Sequence, residues 1–510
     1  MAEQPLKQRT ARGLIWGLLD SGSMQVLNLV IGIFLARALS QADYGLAGEI
    51  LIFSTLASNL QDSGFTQALI NRRNPTALDI NSIFWFNVGM SLLMFVLLWL
   101  CAPLIALFFG EPSLVWLSRY AFVGCFLASL CIVPRALLRR QLRMRELTLT
   151  TLVSLPMSGV VAIALALLGC GPWSLVTQSV VLVGCGALMA WHFSGFRPRR
   201  LFSWKPIREM FSFSCKLLVT NIFNTLNNSV FTFAFGRFYT KLEVGTYTQA
   251  DKWNKMGAQL ISGMVQGVAQ PMFVQVGDDG KRLQRAFRKM LRFTSLLAFP
   301  CMFGLALTAE PLIQITIGAK WLSSAHLMQM LCVAGAFMPV TVLYHNLLIS
   351  RGRSDVYMWN ILAQGLLVLA VLCAIKWWGL SVTLGGHVLS GVRLMVMSYV
   401  AVYVLWLFLW HVFLQRALRL PLLLALRDTL PFAIAAAVAM GVAWVASREV
   451  SNVWLVLAVR IAVAAVVYVA IIWIAGAKIL REAVGYLLRR PTESSHSPAN
   501  ESAPLSKSNS

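Results

Sequence analysis

The chain has 510 residues, 58% of them hydrophobic and only 12% charged, with a mean hydropathy of +0.70. A soluble globule of that composition would precipitate, so much of the apolar surface must face lipid. The net charge of +23 would suggest nucleic acid in a soluble protein; here membrane topology accounts for it, and no nucleic-acid partner is expected.

A hydrocarbon core about 30 Å thick takes roughly 20 helical residues per crossing. Apolar stretches of that kind fall at 13–36, 44–68, 80–108, 114–135, 147–168, 173–193, 211–236, 245–273, 291–317, 323–349, 355–376, 380–410, 428–447 and 453–475. They predict an all-α, polytopic membrane protein with about 14 transmembrane helices. The first stretch lacks a short apolar core followed by a small-residue cleavage site, so it is expected to be retained. The Ser-rich end, 481–510, is too polar to order itself and is expected to be a disordered tail.

Lys and Arg fall on alternate loops: Arg72 and Arg73, then 135–145, 197–208, 281–292, 351–353 and 416–427. Together with both termini that side collects 31 of the 43 basic residues; 7 lie on the other side and 5 inside spans (Lys216, Lys252, Lys255, Arg393, Arg460). The bias predicts cytoplasmic termini and location in a bacterial inner membrane. The nine cysteines sit mostly within spans without CxxC or Cys/His spacing, so no metal site and no cofactor are expected. His192, His345 and His387 are isolated and read as interfacial or packing residues. No G-x-x-x-x-G-K-[ST] loop is present, and the outer loops near 37–44, 110–113 and 169–173 are short, so the chain is not read as an enzyme.

A shift of 200 residues lays Asn28 to Arg37 over Asn228 to Arg237, with Ser40 on Thr240, Asp43 on Glu243 and Gly45 on Gly245. A second match lays Pro103-Leu-Ile-x4-Gly110 over Pro311-Leu-Ile-x4-Gly318. Matching elements lie six spans apart, an even number, which predicts two parallel six-helix repeats plus two C-terminal helices. The expected organisation is a lobe over 1–200, a second over 201–415, added helices over 416–480, and the tail. Two lobes related in this way suit alternating access to a site between them.

Polar residues concentrate in two repeat-equivalent pairs, spans 1 and 2 with spans 7 and 8. Intramembrane polar groups are costly unless they face one another or a wet cavity. A hydrated cleft is therefore expected between the pairs, lined by Gln25, Asn28, Asn221, Asn224, Asn228 and Gln259. Lys216, Lys252, Lys255 and Arg393 are its candidate cations for an anionic group, since lysine binds phosphate as a flexible point charge. The competing reading of each lysine is snorkelling or local pairing, as of Lys252 with Asp251, and that of Arg393, too deep to snorkel, is a structural pair with Glu310. Arg393 is placed about 13 residues deep in span 12. Arg460, outside the duplicated core, reads as a residue of helix packing or lipid contact. Asp20, Glu49, Asp62 and Asp251 are candidates for coupling to protons or sodium.

Several segments carry a resemblance to a known family. They are Arg37-Ala-Leu-Ser-Gln-Ala-Asp-Tyr-Gly45, Asp62-Ser-Gly-Phe-Thr-Gln-Ala-Leu-Ile70 and Ile83-Phe-Trp-Phe-Asn87 in the first half. In the second half they are Val244-Gly-Thr-Tyr-Thr-Gln-Ala250, Pro271 with Phe273, and Gly318-Ala-Lys-Trp321. Over roughly 10–410 the chain resembles the polysaccharide exporters, the Wzx-type flippases of the multidrug/oligosaccharidyl-lipid/polysaccharide superfamily, most nearly the branch serving colanic acid, exopolysaccharide or lipopolysaccharide. The resemblance implies a cationic cleft that carries an undecaprenyl-pyrophosphate-linked oligosaccharide from the cytoplasmic to the periplasmic leaflet. Membrane lipid and polysaccharide polymerase or assembly proteins are the partners that follow. The alternatives are a cation-coupled multidrug exporter of the same superfamily, which would prefer an acidic cleft, and a non-transporting partner of a polysaccharide synthase.

Overall fold

The computed structural model describes residues 24–61, 75–141, 143–208, 235–276, 280–351, 353–379, 382–384, 387–389 and 391–474. Asp20, Asp62, Lys216, Asn221, Asn224, Asn228 and the tail lie outside the described residues.

The first half contributes α1 (Met24–Ala38), α2 (Gln41–Gln61), α3 (Ala77–Phe109), α4 (Leu114–Arg140), α5 (Met144–Leu167) and α6 (Pro172–Ser194). The second half begins, as described, with the helical residues 235–238, here α7. It continues with α8 (Lys241–Val276), α9 (Gly280–Leu307), α10 (Leu322–Ser350), α11 (Ser354–Trp377) and α12 (Gly391–Leu418), followed by α13 (Leu422–Ala446) and α14 (Val453–Ile474). Ten of the described helices are long and apolar enough to cross a membrane. The predominantly helical membrane fold is the one expected from the apolar pattern.

Local chemistry sets the helix ends. Thr76 caps α3 through a capping box with Asp79, and Gly110 closes it at φ 72°, a left-handed conformation that an L side chain resists. Pro172 opens α6 where its missing N–H costs nothing. Within the first half, α4 packs on α3 and α6, and α5 on α6; in the second, α10 packs on α8, α9 and α12. The largest apolar core joins α1, α5, α8 and α10 with parts of α9, α11 and α13.

Two spans differ from the sequence expectation. The stretch 291–317 is broken: α9 ends at Leu307 and a short helix, Ala309–Thr316, follows. The stretch 380–410 opens not as helix but as two antiparallel strands, Val382–Leu384 and His387–Leu389, in register Leu384 to His387. Hydropathy counts apolar strand residues as readily as helical ones, and Gly385-Gly386 between the strands is the hairpin signal that it overlooks. Arg393 consequently lies in the first turn of α12, exposed, and not deep within a span. Glu310 faces His326 at 3.6 Å.

The added helices are bolted to α9. Arg288 and Arg292 both donate to buried Asp428 of α13, at 2.5 and 2.6 Å. On α14, Arg460 donates to the Leu307 carbonyl at 2.7 Å and to Ser447, and Tyr468 donates to the Leu296 carbonyl. Arg460 thus serves helix packing, one of the two roles expected. His345 is half-buried against Trp410 and Tyr357, and His192 is exposed at the end of α6.

Candidate functional site

The two halves meet where α2 crosses α8, and the chain duplication is visible in the contacts. Ser40 and Asp43 form a capping box at the start of α2: Asp43 N donates to Ser40 Oγ at 3.2 Å, and Ser40 N donates to Asp43 Oδ2 at 2.8 Å. Thr240 and Glu243 repeat it at the start of α8, at 3.4 and 3.0 Å. The capped ends lie against each other. A Cβ on Gly45 would collide with the Lys241 carbonyl, and one on Gly245 with the Gln41 carbonyl. Both positions are glycine because backbone passes backbone there with no room for a side chain.

Arg37 and Arg237 then reach reciprocally across the seam. Arg37 donates to the carbonyls of Thr316 and Ile315 at 2.6 and 2.7 Å. The matching position to Thr316 in the repeat is Phe108, and the Arg237 guanidinium lies 5.6 Å from its ring centre. Around Arg37 the seam is densely bonded. Gln41 donates to the Lys320 carbonyl, Lys320 Nζ to the carbonyls of Arg37 and Leu39, and Trp321 Nε1 to that of Ala36. Around Arg237 it is held by an ion pair between Lys241 and Glu111 and by Phe109 against Gly236. Tyr239, in the adjoining turn beneath Lys376, has its hydroxyl held above the usual value by burial and by the Glu243 carboxylate. Glu49 lies in this part of the seam, 2% exposed, with Oε2 lacking a hydrogen-bond partner.

Further along α8 the candidate cations separate. At 100° per residue, Gly245, Thr248, Lys252, Lys255 and Gln259 share one face. Gly245 and Thr248 meet α2, whereas Lys252 meets α1: a Cβ on Gly32 would lie 2.6 Å from Lys252 Nζ. Gln25 and Asn28, both half-buried, share that face of α1 with Gly32. Lys255 instead pairs with Asp251 at 2.7 Å, so the local partner expected for Lys252 belongs to Lys255. Beyond them Gln259, Leu260, Met264 and Gln266 are exposed. The halves therefore touch at the α2 and α8 starts, and the far part of α8 carries exposed side chains. Of the polar residues predicted to share a cleft, Lys252 reaches α1 at Gly32, Asn28 and Gln25 lie one and two turns from Gly32 on the same face of α1, and Lys255 and Gln259 continue the face of Lys252 on α8. The structure sets Arg393 apart, near Tyr239 at the closed end, where Gly391 approaches that ring.

Sequence reasoning missed the seam itself, although Gly45 and Gly245 had been aligned: matched glycines at matched helix starts were the available signal of two backbones in contact. Asp428 was also missed, because Arg288 and Arg292 were counted only as topological charges.

Residues 34–326 match the family model described as polysaccharide biosynthesis protein. The chain belongs to this family. Among curated relatives, it is 28% identical over 312 residues to the succinoglycan biosynthesis transport protein ExoT of Rhizobium meliloti (strain 1021), covering 61% of this chain and 63% of that one. It is 25% identical over 392 residues to the lipopolysaccharide biosynthesis protein WzxC of Escherichia coli (strain K12), covering 74% and 78%. The chain thus spans a little under two thirds of the succinoglycan relative. Among solved structures, the lipid II flippase MurJ in an inward closed conformation superposes with a TM-score of 0.72 at 12% identity, over 92% of this chain and all of that one. An inward-facing multidrug resistance MATE family transporter superposes at 0.59, also at 12% identity, over 84% and 96%. At such identities these likenesses establish the fold alone. They give no support to an enzyme.

Proposed function

We infer that this family member is a flippase that carries undecaprenyl-pyrophosphate-linked oligosaccharide repeat units across the bacterial inner membrane by alternating access, for exopolysaccharide or lipopolysaccharide assembly. The observation that carries the reading is the placement of Lys252. It stands on the α8 face turned to the other half, beside Gly32 and the polar face of α1, below a seam closed by paired glycines. A lysine there supplies a positive charge for a pyrophosphate, while a lipid tail can remain in the bilayer beside the cleft. The names of the relatives, a succinoglycan transport protein and a lipopolysaccharide biosynthesis protein, agree with a glycan cargo.

In this reading 1–200 and 201–415 are the two lobes, with 416–480 docked on the second. Both termini are cytoplasmic, the α2–α8 seam closes the periplasmic side, and the cleft opens to the cytoplasm where repeat units are made. The released unit passes to a polymerase or assembly protein. Of the two candidate carboxylates among the described residues, Glu49 suits coupling to protons or sodium better than Asp251, which is paired with Lys255, because opening the seam changes the surroundings of Glu49.

The test is lipid extraction and mass spectrometry of cells lacking the protein. Undecaprenyl-pyrophosphate-linked oligosaccharide should accumulate, and the wild-type chain should relieve this. Unchanged lipid intermediates together with altered drug sensitivity would overturn the reading in favour of a multidrug exporter. At normal membrane levels Lys252→Ala should fail to relieve the accumulation, and Lys255→Ala, whose charge is already engaged by Asp251, should relieve it in part.

A further inference from the structure

We propose that residues 195–208, which join the two halves, form a docking site for acidic phospholipid headgroups at the membrane surface. The segment contains five basic residues, Arg197, Arg199, Arg200, Lys205 and Arg208, all exposed, and no Asp or Glu. Between them stand Leu201, Phe202 and Trp204, exposed to 41, 46 and 65%.

The segment is fastened, so this display is fixed. Arg199 N donates to Asn81 Oδ1 at 2.6 Å and Ser203 N to Ser82 Oγ at 2.9 Å, while Trp85 Nε1 donates to the Arg199 carbonyl at 2.9 Å. Asn81 and Ser82 are buried in the first turns of α3, and Ile207 is buried among Ile83, Phe84, Val133 and Ala136. Trp204 lies edge-on to Phe202, with ring centres 5.2 Å apart. Since α3 starts and α6 stops here, the segment sits at the end of membrane helices, where acyl chains give way to headgroups.

Aromatic rings settle at that boundary, and guanidinium and ammonium groups beside them attract anionic lipid. The alternation selects a lipid over free phosphate, because a dissolved anion gains nothing from three exposed apolar side chains. Because this segment is tied to α3, bound lipid holds the first half against the membrane surface while the chain beyond 208 leads into the second.

The test is native mass spectrometry of the full chain in detergent, titrated with phosphatidylglycerol or phosphatidylcholine. The wild type should retain phosphatidylglycerol preferentially. The variant R197Q/R199Q/R200Q/K205Q should lose at least about tenfold of that preference, given the attraction of roughly fivefold per basic residue near a charged surface. A control removing exposed charges assigned to the other membrane side, K376Q/R448Q, should retain most of it. F202S/W204S, with all charges kept, should weaken the retention of phosphatidylglycerol, and millimolar inorganic phosphate should not displace the lipid. Equal retention of both lipids, an equal loss in the control, or displacement by phosphate (a general anion site) would each overturn the proposal. All substituted side chains are exposed, so an unchanged melting temperature verifies the fold.

Discussion

Around Arg37 and around Arg237 the same sequence pattern builds two different joints. Both stand in the last turn of a helix, both precede a capping box, and both reach for the third helical region of the opposite half. Yet Arg37 finds two carbonyl oxygens and is surrounded by four further cross-seam hydrogen bonds, whereas Arg237 finds a phenyl ring with an ion pair beside it. Both targets are helix ends, Thr316 closing the short helix Ala309–Thr316 and Phe108 standing one residue before the end of α3, so terminal carbonyls are present on both sides. The side chain at the matched position differs: Thr316 is small, whereas the Phe108 ring faces the Arg237 guanidinium. Duplication set the register of both joints, and divergence made one firm and the other loose. In the proposed transport cycle the firm side acts as the pivot and the Arg237 side opens first.

Breaking the seam itself should have the largest effect. Gly245→Val puts a branched side chain where backbone meets backbone, so the seam cannot close; relief of lipid-intermediate accumulation should be lost at normal membrane levels, with a thermal destabilisation of roughly 1–3 kcal/mol. Unimpaired complementation would show that the seam is not part of the cycle.

Next comes the direct comparison of the arginines. Arg37→Ala removes two charge-assisted hydrogen bonds at an exposed site and should cost about 2 kcal/mol in thermal unfolding, against about 0.5–1 kcal/mol for Arg237→Ala. Equal costs would abolish the asymmetry. A cysteine introduced at Thr248, where α2 covers α8, reports opening through its labelling rate: Arg237→Ala should raise the rate, and Arg37→Ala should raise it only together with a loss of stability.

The smallest effect belongs to the half-exposed ion pair of Lys241 with Glu111. Lys241→Ala should cost about 0.5 kcal/mol, and raising the salt concentration should narrow the gap between wild type and this variant, because only the loose side depends on an exposed pair. A gap that persisted at high salt would mean that Lys241 acts through packing.

Much of this was legible along the chain. Apolar length located α3, α4, α6, α10 and α11 to within a few residues, since a hydrocarbon slab imposes a minimum length on every crossing helix. Ser40 with Asp43 and Thr240 with Glu243, aligned in the sequence only as repeat partners, are also capping boxes, a local contact that three residues of spacing suffice to make, and they set the starts of α2 and α8 a few residues before the apolar stretches begin. The opening of α12 was not legible in apolar length: Val382-Thr-Leu and His387-Val-Leu are as apolar as a helix, and only the Gly385-Gly386 pair between them signals the hairpin. That misreading carried Arg393 from the helix end, where it stands exposed, into an imagined membrane interior.

The sequence by itself determined the membrane-spanning architecture, the doubled pattern and the concentration of polar groups in α1, α2 and α8, for composition and local spacing govern what each segment can do alone. The tertiary structure decided which charge meets which. It gave Asp251 to Lys255, turned Lys252 towards α1, clamped Asp428 between Arg288 and Arg292, and brought Gly45 and Gly245 into contact. Those outcomes depend on the rotation and crossing of helices far apart in the chain, which packing of side chains fixes and no single segment encodes.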